Sequence, residues 1–335
     1  MIINLNKAIL HILDFHSGIT VFSEQELNLD SESVATFLRK HIEKSFSDSG
    51  AQSGSFLDNS TFNKQLTEYV SDTLNLIEFS TYIANLMHAS VAKSDKLHSM
   101  DLLVCDFSVD TVRYVCILEC AHRPAFTHQV SNDQDGIHND IVNHHAILPS
   151  ITQKLDAYAF INVETSSIKF VDKKRLVDGE EAFILPDVVL ECSTVMSPKS
   201  TVKLMNSIAQ KVAENHGQSS VFAISKAKNL VMENLETSDR IEPEELGKEI
   251  FESSAIMQKE FVEEIKNAGI PDTVVMIDKS YAIRTNKNHK IKTDTGIEIS
   301  IPADYYQNTE YIEFINNTDG TLSIQLKNIG RISNK

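Results

Sequence analysis

Residues 136–150 read GIHNDIVNHHAILPS, with His138, Asp140, His144 and His145 inside eight residues. Imidazole nitrogens and carboxylate oxygens are the donors of zinc and related sites, so this density first raises metal binding. Whether the donors can meet depends on the backbone. On a helix Asp140 and His144 would share a face at i, i+4, but on an extended chain they stand roughly 13 Å apart and cannot share an ion. Gly136 before the run, Pro149 after it and the β-branched Ile141, Val142 and Ile147 within it favour the extended form. No recognised zinc spacing is present, so the histidines read as packed or surface residues and no metal site is expected.

A second arrangement with chemical potential is Asp106 with Glu119, acids carried by the neighbouring apolar runs DLLVCDF and RYVCILEC. Two carboxylates on adjacent strands resemble the layout of a metal-dependent nuclease. Such a site normally has a lysine two residues beyond the second acid, to stabilise charge on the attacked phosphate or to place the water. Position 121 is Ala121. There is also no G-x-S-x-G elbow, no Walker loop and no G-x-G-x-x-G, and only 11 glycines in all. The expectation is a protein that is not an enzyme, with no catalytic residues and no cofactor. Cys105, Cys116, Cys120 and Cys192 form no CxxC pair and read as reduced thiols in a core.

The third arrangement is basic. Lys199, Lys203, Lys211, Lys226 and Lys228 stand against Glu214 alone between Pro198 and Leu230, a net of +4. Lys199, Lys203 and Lys211 fall on the side of a predicted helix away from Leu204, Met205, Ile208 and Val212. A second patch, AIRTNKNHKIK, carries Arg284, Lys287, Lys290 and Lys292 on or beside a predicted hairpin. Both could hold phosphates. Neither has interleaved aromatics, a helix-turn-helix or a zinc-finger pattern, so contact with nucleic acid would be largely independent of sequence. Between the patches, Val231 to Ile265 carries 11 acids against three bases, a net of −8, which is half of the whole chain's −16. That segment would repel DNA or attract a basic protein.

The elements that must position these residues are legible from spacing. Residues 3–24 read as two strand-like runs about His16-Ser17-Gly18, a hairpin. Val34, Phe37, Leu38 and Ile42 predict a helix from Ser31 to about Ser47, and SFSDSGAQSGSFLDNS after it has no period and predicts a loop. Phe62, Leu66, Tyr69, Val70, Leu74 and Ile77 keep a helical period that runs on through Ile83 and Leu86, predicting one long amphipathic helix. DLLVCDF with RYVCILEC, and DAYAFINVE with SIKFVD, are paired apolar runs about short turns, as expected of buried antiparallel strands. Pro243, with Glu244 and Glu245 beside it, marks the first turn of a later helix. Beyond Pro271 the chain turns β-rich, and Asp319-Gly320 between strand-like runs is a hairpin signal.

Strands do not alternate regularly with helices, so the class is α+β: an antiparallel sheet with long amphipathic helices, a helical middle segment and a β-rich C-terminal part. The expected division is an N-terminal α+β domain over 1–195, a helical segment over 196–270 and the β-rich part over 271–335. At 335 residues with 41% apolar content the chain can bury more than one core. The opening MIINLNKAILHILDF lacks the pattern of a secretory signal and no run approaches the roughly 20 apolar residues that cross a bilayer, so a cytoplasmic protein without membrane contact is expected.

The order of several segments adds a resemblance. NKAILHIL, the pair DLLVCDF and RYVCILE, the run NDIVNHHAILPSITQKLDAYAFINV and the ending TGIEISIPADYYQNTEYIEFINNTDGTLSIQLKNIGRI together resemble the bacterial 37 kDa nucleoid-associated protein family, the NdpA or YejK-like proteins. The likeness spans almost the full length and rests on the order and style of segments. It implies a cytoplasmic protein found with the nucleoid and associated with DNA, with no established catalytic activity or cofactor. It transfers no DNA-contact residues, so the lysine and arginine assignment stays a reading of this chain. The expectation is weak, sequence-independent DNA binding through the basic patches, contributing to chromosome organisation. The alternative is an acidic adaptor that binds a DNA-processing protein without touching DNA. The partners foreseen are DNA, a DNA-bound protein and a second copy of the chain as a homo-oligomer.

Overall fold

The computed structural model describes residues 1–133, 136–218, 220–238, 240–270, 275–276, 288–302, 305, 308, 310–317 and 321–331. They belong to two compact units, Met1–Ser197 and Pro198–Lys335. The first contains β1 (Ile3–Asp14), β2 (Ile19–Val21), α1 (Glu32–Phe46), β3 (Gln52–Ser55), α2 (Thr61–Val70), α3 (Leu76–Ala92), β4 (Met100–Val109) and β5 (Val112–Ala121). It continues with β6 (Arg123–Asp133), β7 (Gly136–Ile147), β8 (Ala157–Asn162), β9 (Ser167–Val171), β10 (Arg175–Val177), β11 (Glu180–Ala182) and a π-helical turn, Ile184–Val189.

Seven strands form one antiparallel sheet in the order β2-β1-β4-β5-β8-β9-β3. The continuous apolar runs of β4 and β5 follow from burial of both faces. Leu102 and Val104 point to one side, into a core with Ile9, Phe79, Ile83 and Met87, so α2, α3 and the π-helical turn cover that face. Leu103, Cys105 and Phe107 point to the other, against Leu38 and Ile42 of α1. The two-residue side-chain period of a strand deals alternate residues to the two cores, and all four cysteines are buried among them. The fold is α+β with an antiparallel sheet, as the spacing predicts.

Two local expectations are corrected. The long helix through Phe62 and Leu86 is two helices, α2 and α3. Asp72 takes a left-handed φ of 57°, and Asn75 starts α3 with a capping box. Its side chain accepts from the Glu78 N–H at 2.9 Å while the Glu78 carboxylate accepts from the Asn75 N–H at 3.2 Å. Both helices turn their apolar side to the same core, so the period carries across the break unseen. The stretch predicted as a loop after α1 contributes an edge strand, β3, whose Ser53 and Gly54 lie opposite Lys169 and Ile168 of β9. Gln, Ser and Gly have little strand preference, and the strand exists because the neighbouring backbone is there to pair with it. A side chain on Gly54 would put its Cβ 2.2 Å from the Ser193 carbonyl oxygen.

His11, on β1, is wholly buried. Its Nδ1 accepts the Ser23 N–H at 3.1 Å, which leaves Nε2 to carry the proton toward the Ser80 hydroxyl at 2.9 Å. Burial pushes its pKa down to about 4. The folded value lies below the unfolded one of ~6.5, so the folded state holds fewer protons between them and stability falls as pH drops through that window. By pH 4 this one group is expected to cost about 3 kcal/mol relative to pH 7, and a His11→Gln variant should lose that share of the slope. Denaturant midpoints of the two proteins at pH 7 and pH 4 check it; equal pH dependence would remove His11 as the cause.

The second unit packs α4 (Pro198–Asn215), α5 (Ser220–Thr237), α6 (Pro243–Ile250) and α7 (Ala255–Asn267) around Met205, Ile208, Val212, Val231, Leu246 and Phe261. Pro243 opens α6 with Glu244 and Glu245 in its first turn, where proline needs no N–H partner and acids meet the positive end of the helix dipole. β12 (Arg240–Ile241) pairs with β13 (Val275–Met276). Two hairpins follow, β14 (Asn288–Lys292) with β15 (Glu298–Pro302) and β16 (Ile312–Asn316) with β17 (Leu322–Leu326). Ile301 and Ile312 form a small core of their own with Ile299, Phe314 and Ile324. The Asp319-Gly320 turn lies outside the described residues, although the strands on either side of it pair from Asn316 opposite Leu322.

Candidate functional site

The apolar stripe of α4 buries Val202, Met205, Ile208, Ala209 and Val212, which leaves Lys199, Lys203 and Lys211 on the exposed side. The acid-rich segment that follows in sequence folds back onto part of this set. Lys211 Nζ lies 2.8 Å from Glu264 of α7, and Lys226 Nζ lies 2.7 Å from Glu252. His216 and Asn215, at the end of α4, both reach Glu260 of α7, at 2.7 and 2.8 Å. Hydrogen bonds from Asn215 and then His216 hold the Glu260 carboxyl below its usual range. Lys228 is half-buried, and burial lowers its pKa. The positive and negative segments therefore meet as ion pairs within the helical bundle.

Among the described residues, Lys199 and Lys203 have no carboxylate partner. They stand one helical turn apart, about 6 Å along the axis. In the second patch Lys292 pairs with Glu298 across the hairpin at 3.2 Å, and Lys290 lies on β14 opposite Ser300. Arg284 and Lys287 fall outside the described residues.

Asp106 and Glu119 are both buried, but the strand register keeps them apart. Asp106 faces Val115 and Glu119 faces Leu102, four positions further along, a separation of roughly 13 Å. Each carboxylate is already committed. Asp106 accepts from Arg113 Nη2 at 2.6 Å, the Tyr69 hydroxyl at 2.6 Å and Asn6 Nδ2 at 2.9 Å. Burial alone would raise its pKa, yet these donors hold it below the ordinary carboxylate value. Glu119 accepts from Arg175 Nη2 at 2.7 and 2.9 Å and faces His98 Nε2 at 3.1 Å. The two acids belong to separate structural networks and do not form the shared site of a two-carboxylate nuclease.

The histidines of β7 are extended, as their surroundings predict. Asp140 lies opposite Gln129 and His144 opposite Ala125 on β6. One gathering of histidines was not legible from spacing. His16, His98, His122 and His145 line a cleft of about 450 Å³ together with Asp14 and Ser99. Ser99 organises it: its hydroxyl donates to Asp14 at 2.5 Å and accepts the His16 N–H at 2.9 Å, and its carbonyl accepts the His122 N–H at 2.9 Å. His122 Nε2 is anchored on Asp101 at 2.9 Å, and the His145 ring lies 5.1 Å from that of His16. Burial raises the Asp101 pKa, and the His122 contact opposes the rise. Among the described residues no group of three or more histidines, cysteines and acids is placed to hold one metal ion. The four histidines come from separate segments, the β1–β2 turn, the loop before β4, the β5–β6 junction and β7, so only the folded unit assembles them.

Among the described residues no helix is long and apolar enough to cross a membrane. No curated protein matches the chain. A protein-family model, described as nucleoid-associated protein YejK, matches residues 9–332. With nearly all of both units inside that match, and the Asp106 and Glu119 networks serving the fold, the chain belongs to the nucleoid-associated protein YejK family.

Proposed function

We propose that this protein acts by binding duplex DNA weakly and without sequence preference, with Lys199 and Lys203 of α4 as the principal phosphate contacts. The observation that carries the reading is the contrast within the lysine set. Lys211, Lys226 and Lys292 sit against glutamates, whereas Lys199 and Lys203 are exposed on one side of α4 without such a partner among the described residues. An unpaired ammonium can displace a condensed counterion from a DNA phosphate at little cost, while a paired one must first give up its carboxylate. Lys211, Lys226, Lys228, Lys290, Lys292, Arg284 and Lys287 are secondary in this reading. The adaptor alternative draws on the acids of 231–265, of which Glu252, Glu260 and Glu264 are occupied within the unit.

Titrating purified protein with duplex DNA across a salt series tests the proposal. Each phosphate contact contributes about 0.9 to the slope of log affinity against log salt, so replacing Lys199 and Lys203 together with alanine should flatten it by about 1.8. The same change should weaken binding equally for unrelated DNA sequences. An unchanged slope would move the contact elsewhere, and no binding at low salt would favour the adaptor.

A further inference from the structure

β6 and β7 form a two-stranded ribbon that shares no strand with the main sheet. Its register runs unbroken from Ala125 opposite His144 to Asp133 opposite Gly136, and the 12 residues of β7 would extend it to roughly 40 Å. Directly opposed residues share a face. Phe126, Val130, Ile137 and Ile141 therefore all lie on the same side, and they are 77%, 61%, 74% and 81% exposed. The other positions on that side are His128, Asn132, Asn139 and Asn143, so it bears no lysine, arginine, aspartate or glutamate. An isolated two-stranded ribbon is marginal in water, and this one turns its apolar side outward.

We propose that the apolar face of the β6–β7 ribbon is where a second copy of this chain docks, ribbon against ribbon about a two-fold axis. Charge argues for that occupant. A face without lysine or arginine gains nothing from counterion release on DNA, and two chains of net charge −16 repel each other least where they meet through a surface free of carboxylates. The face can also complement itself: each cross-strand pair sets one apolar residue beside one polar one, Phe126 opposite Asn143, His128 opposite Ile141, Val130 opposite Asn139 and Asn132 opposite Ile137, so a two-fold related copy can lay apolar on apolar and amide on amide, as an isologous contact requires. Area is sufficient. The four apolar side chains expose on the order of 500 Å² per copy, so two copies bury about 1,000 Å² before the edge residues are added, which reaches the threshold for a specific interface.

Sedimentation velocity of the full-length protein at tens of micromolar is expected to show a dimer. Replacing Phe126 and Ile141 with serine should raise the dimer dissociation constant at least a hundredfold, with an unchanged circular dichroism spectrum and melting profile, because neither residue belongs to a core. A monomeric wild type, or a variant that dimerises as well as wild type, overturns the proposal. A second measurement does not depend on that variant. Val130 lies mid-ribbon on the apolar face and Gln129 on the opposite one, and the four native cysteines are buried. A short bismaleimide should therefore join Val130→Cys chains into covalent dimers and leave Gln129→Cys chains single; equal yields would also overturn it.

Discussion

Replacing Arg175 with alanine is expected to destabilise the first unit by about 5 kcal/mol at pH 7, the upper end for breaking a buried ion pair. The guanidinium serves two carboxylates. Its Nη2 donates to both oxygens of Glu119, whose side chain is 2% exposed, and its Nη1 lies 3.6 Å from Asp172, whose side chain is fully buried. Without the cation, two carboxylates remain buried side by side, and Glu119 adds to the rise of the Asp172 pKa. Burial already raises that of Asp172, with Arg175 opposing the rise. The sign of the pH dependence follows. An acid such as Asp172, whose folded pKa exceeds the unfolded value of about 4, destabilises the fold above that folded value and ceases to do so below roughly pH 4, where both states are protonated. The deficit of the variant should therefore be full near neutrality and shrink on acidification. Adding Glu119→Gln to Arg175→Ala should recover part of it at pH 7. Hydrogen exchange of the β4 and β5 amides measures this in the full chain without assuming that both units unfold together. A loss below 1 kcal/mol at pH 7 would mean that water reaches Glu119 in the folded protein.

Phe79→Ala is expected to cost about 4 kcal/mol, through lost transfer energy and an unfilled cavity. Phe79 is fully buried. Its ring stacks on Tyr69 at 5.1 Å and meets Phe62 at 5.5 Å, so one side chain of α3 joins two of α2. The effect should reach the sheet, because the Tyr69 hydroxyl is the 2.6 Å donor to Asp106 on β4. Removing its ring support loosens a hydrogen bond to a buried carboxylate. Phe79→Leu should cost far less, and Phe79→Ala with Tyr69→Phe should depart from additivity by at least about 0.5 kcal/mol. Additive losses, read from the same exchange measurement, would show that the aromatic stack and the Asp106 network are independent.

Much of the fold was legible wherever local chemistry and burial agree. The apolar runs that became β4, β5, β8 and β9 needed only strand period and length, and the helices α1, α4 and α6 announced themselves by stripe or by cap. The break between α2 and α3 was hidden by a period that both helices share. β3 was hidden because Gln52, Ser53 and Gly54 form a strand only through backbone bonds to a partner more than a hundred residues away. The candidate site divides in the same way. Helical spacing places Lys199, Lys203 and Lys211 on one side of α4, but nothing local distinguishes Lys203 from Lys211, which a glutamate 53 positions later claims.

By itself the sequence determined the α+β class, the central strands β4, β5, β8 and β9 of the main sheet, the extended state of the histidine run and the resemblance that the family match bears out. These depend on side-chain period, turn chemistry and segment order, all of which are written along the chain. Tertiary structure decided which charges survive as free charges. It set Asp106 and Glu119 in separate networks, folded the acidic segment onto two of the lysines, gathered four distant histidines around Ser99 and left the apolar face of the β6–β7 ribbon exposed. Coulomb attraction, hydrogen bonding and burial act between atoms that are close in space, and that proximity exists only once the chain has folded.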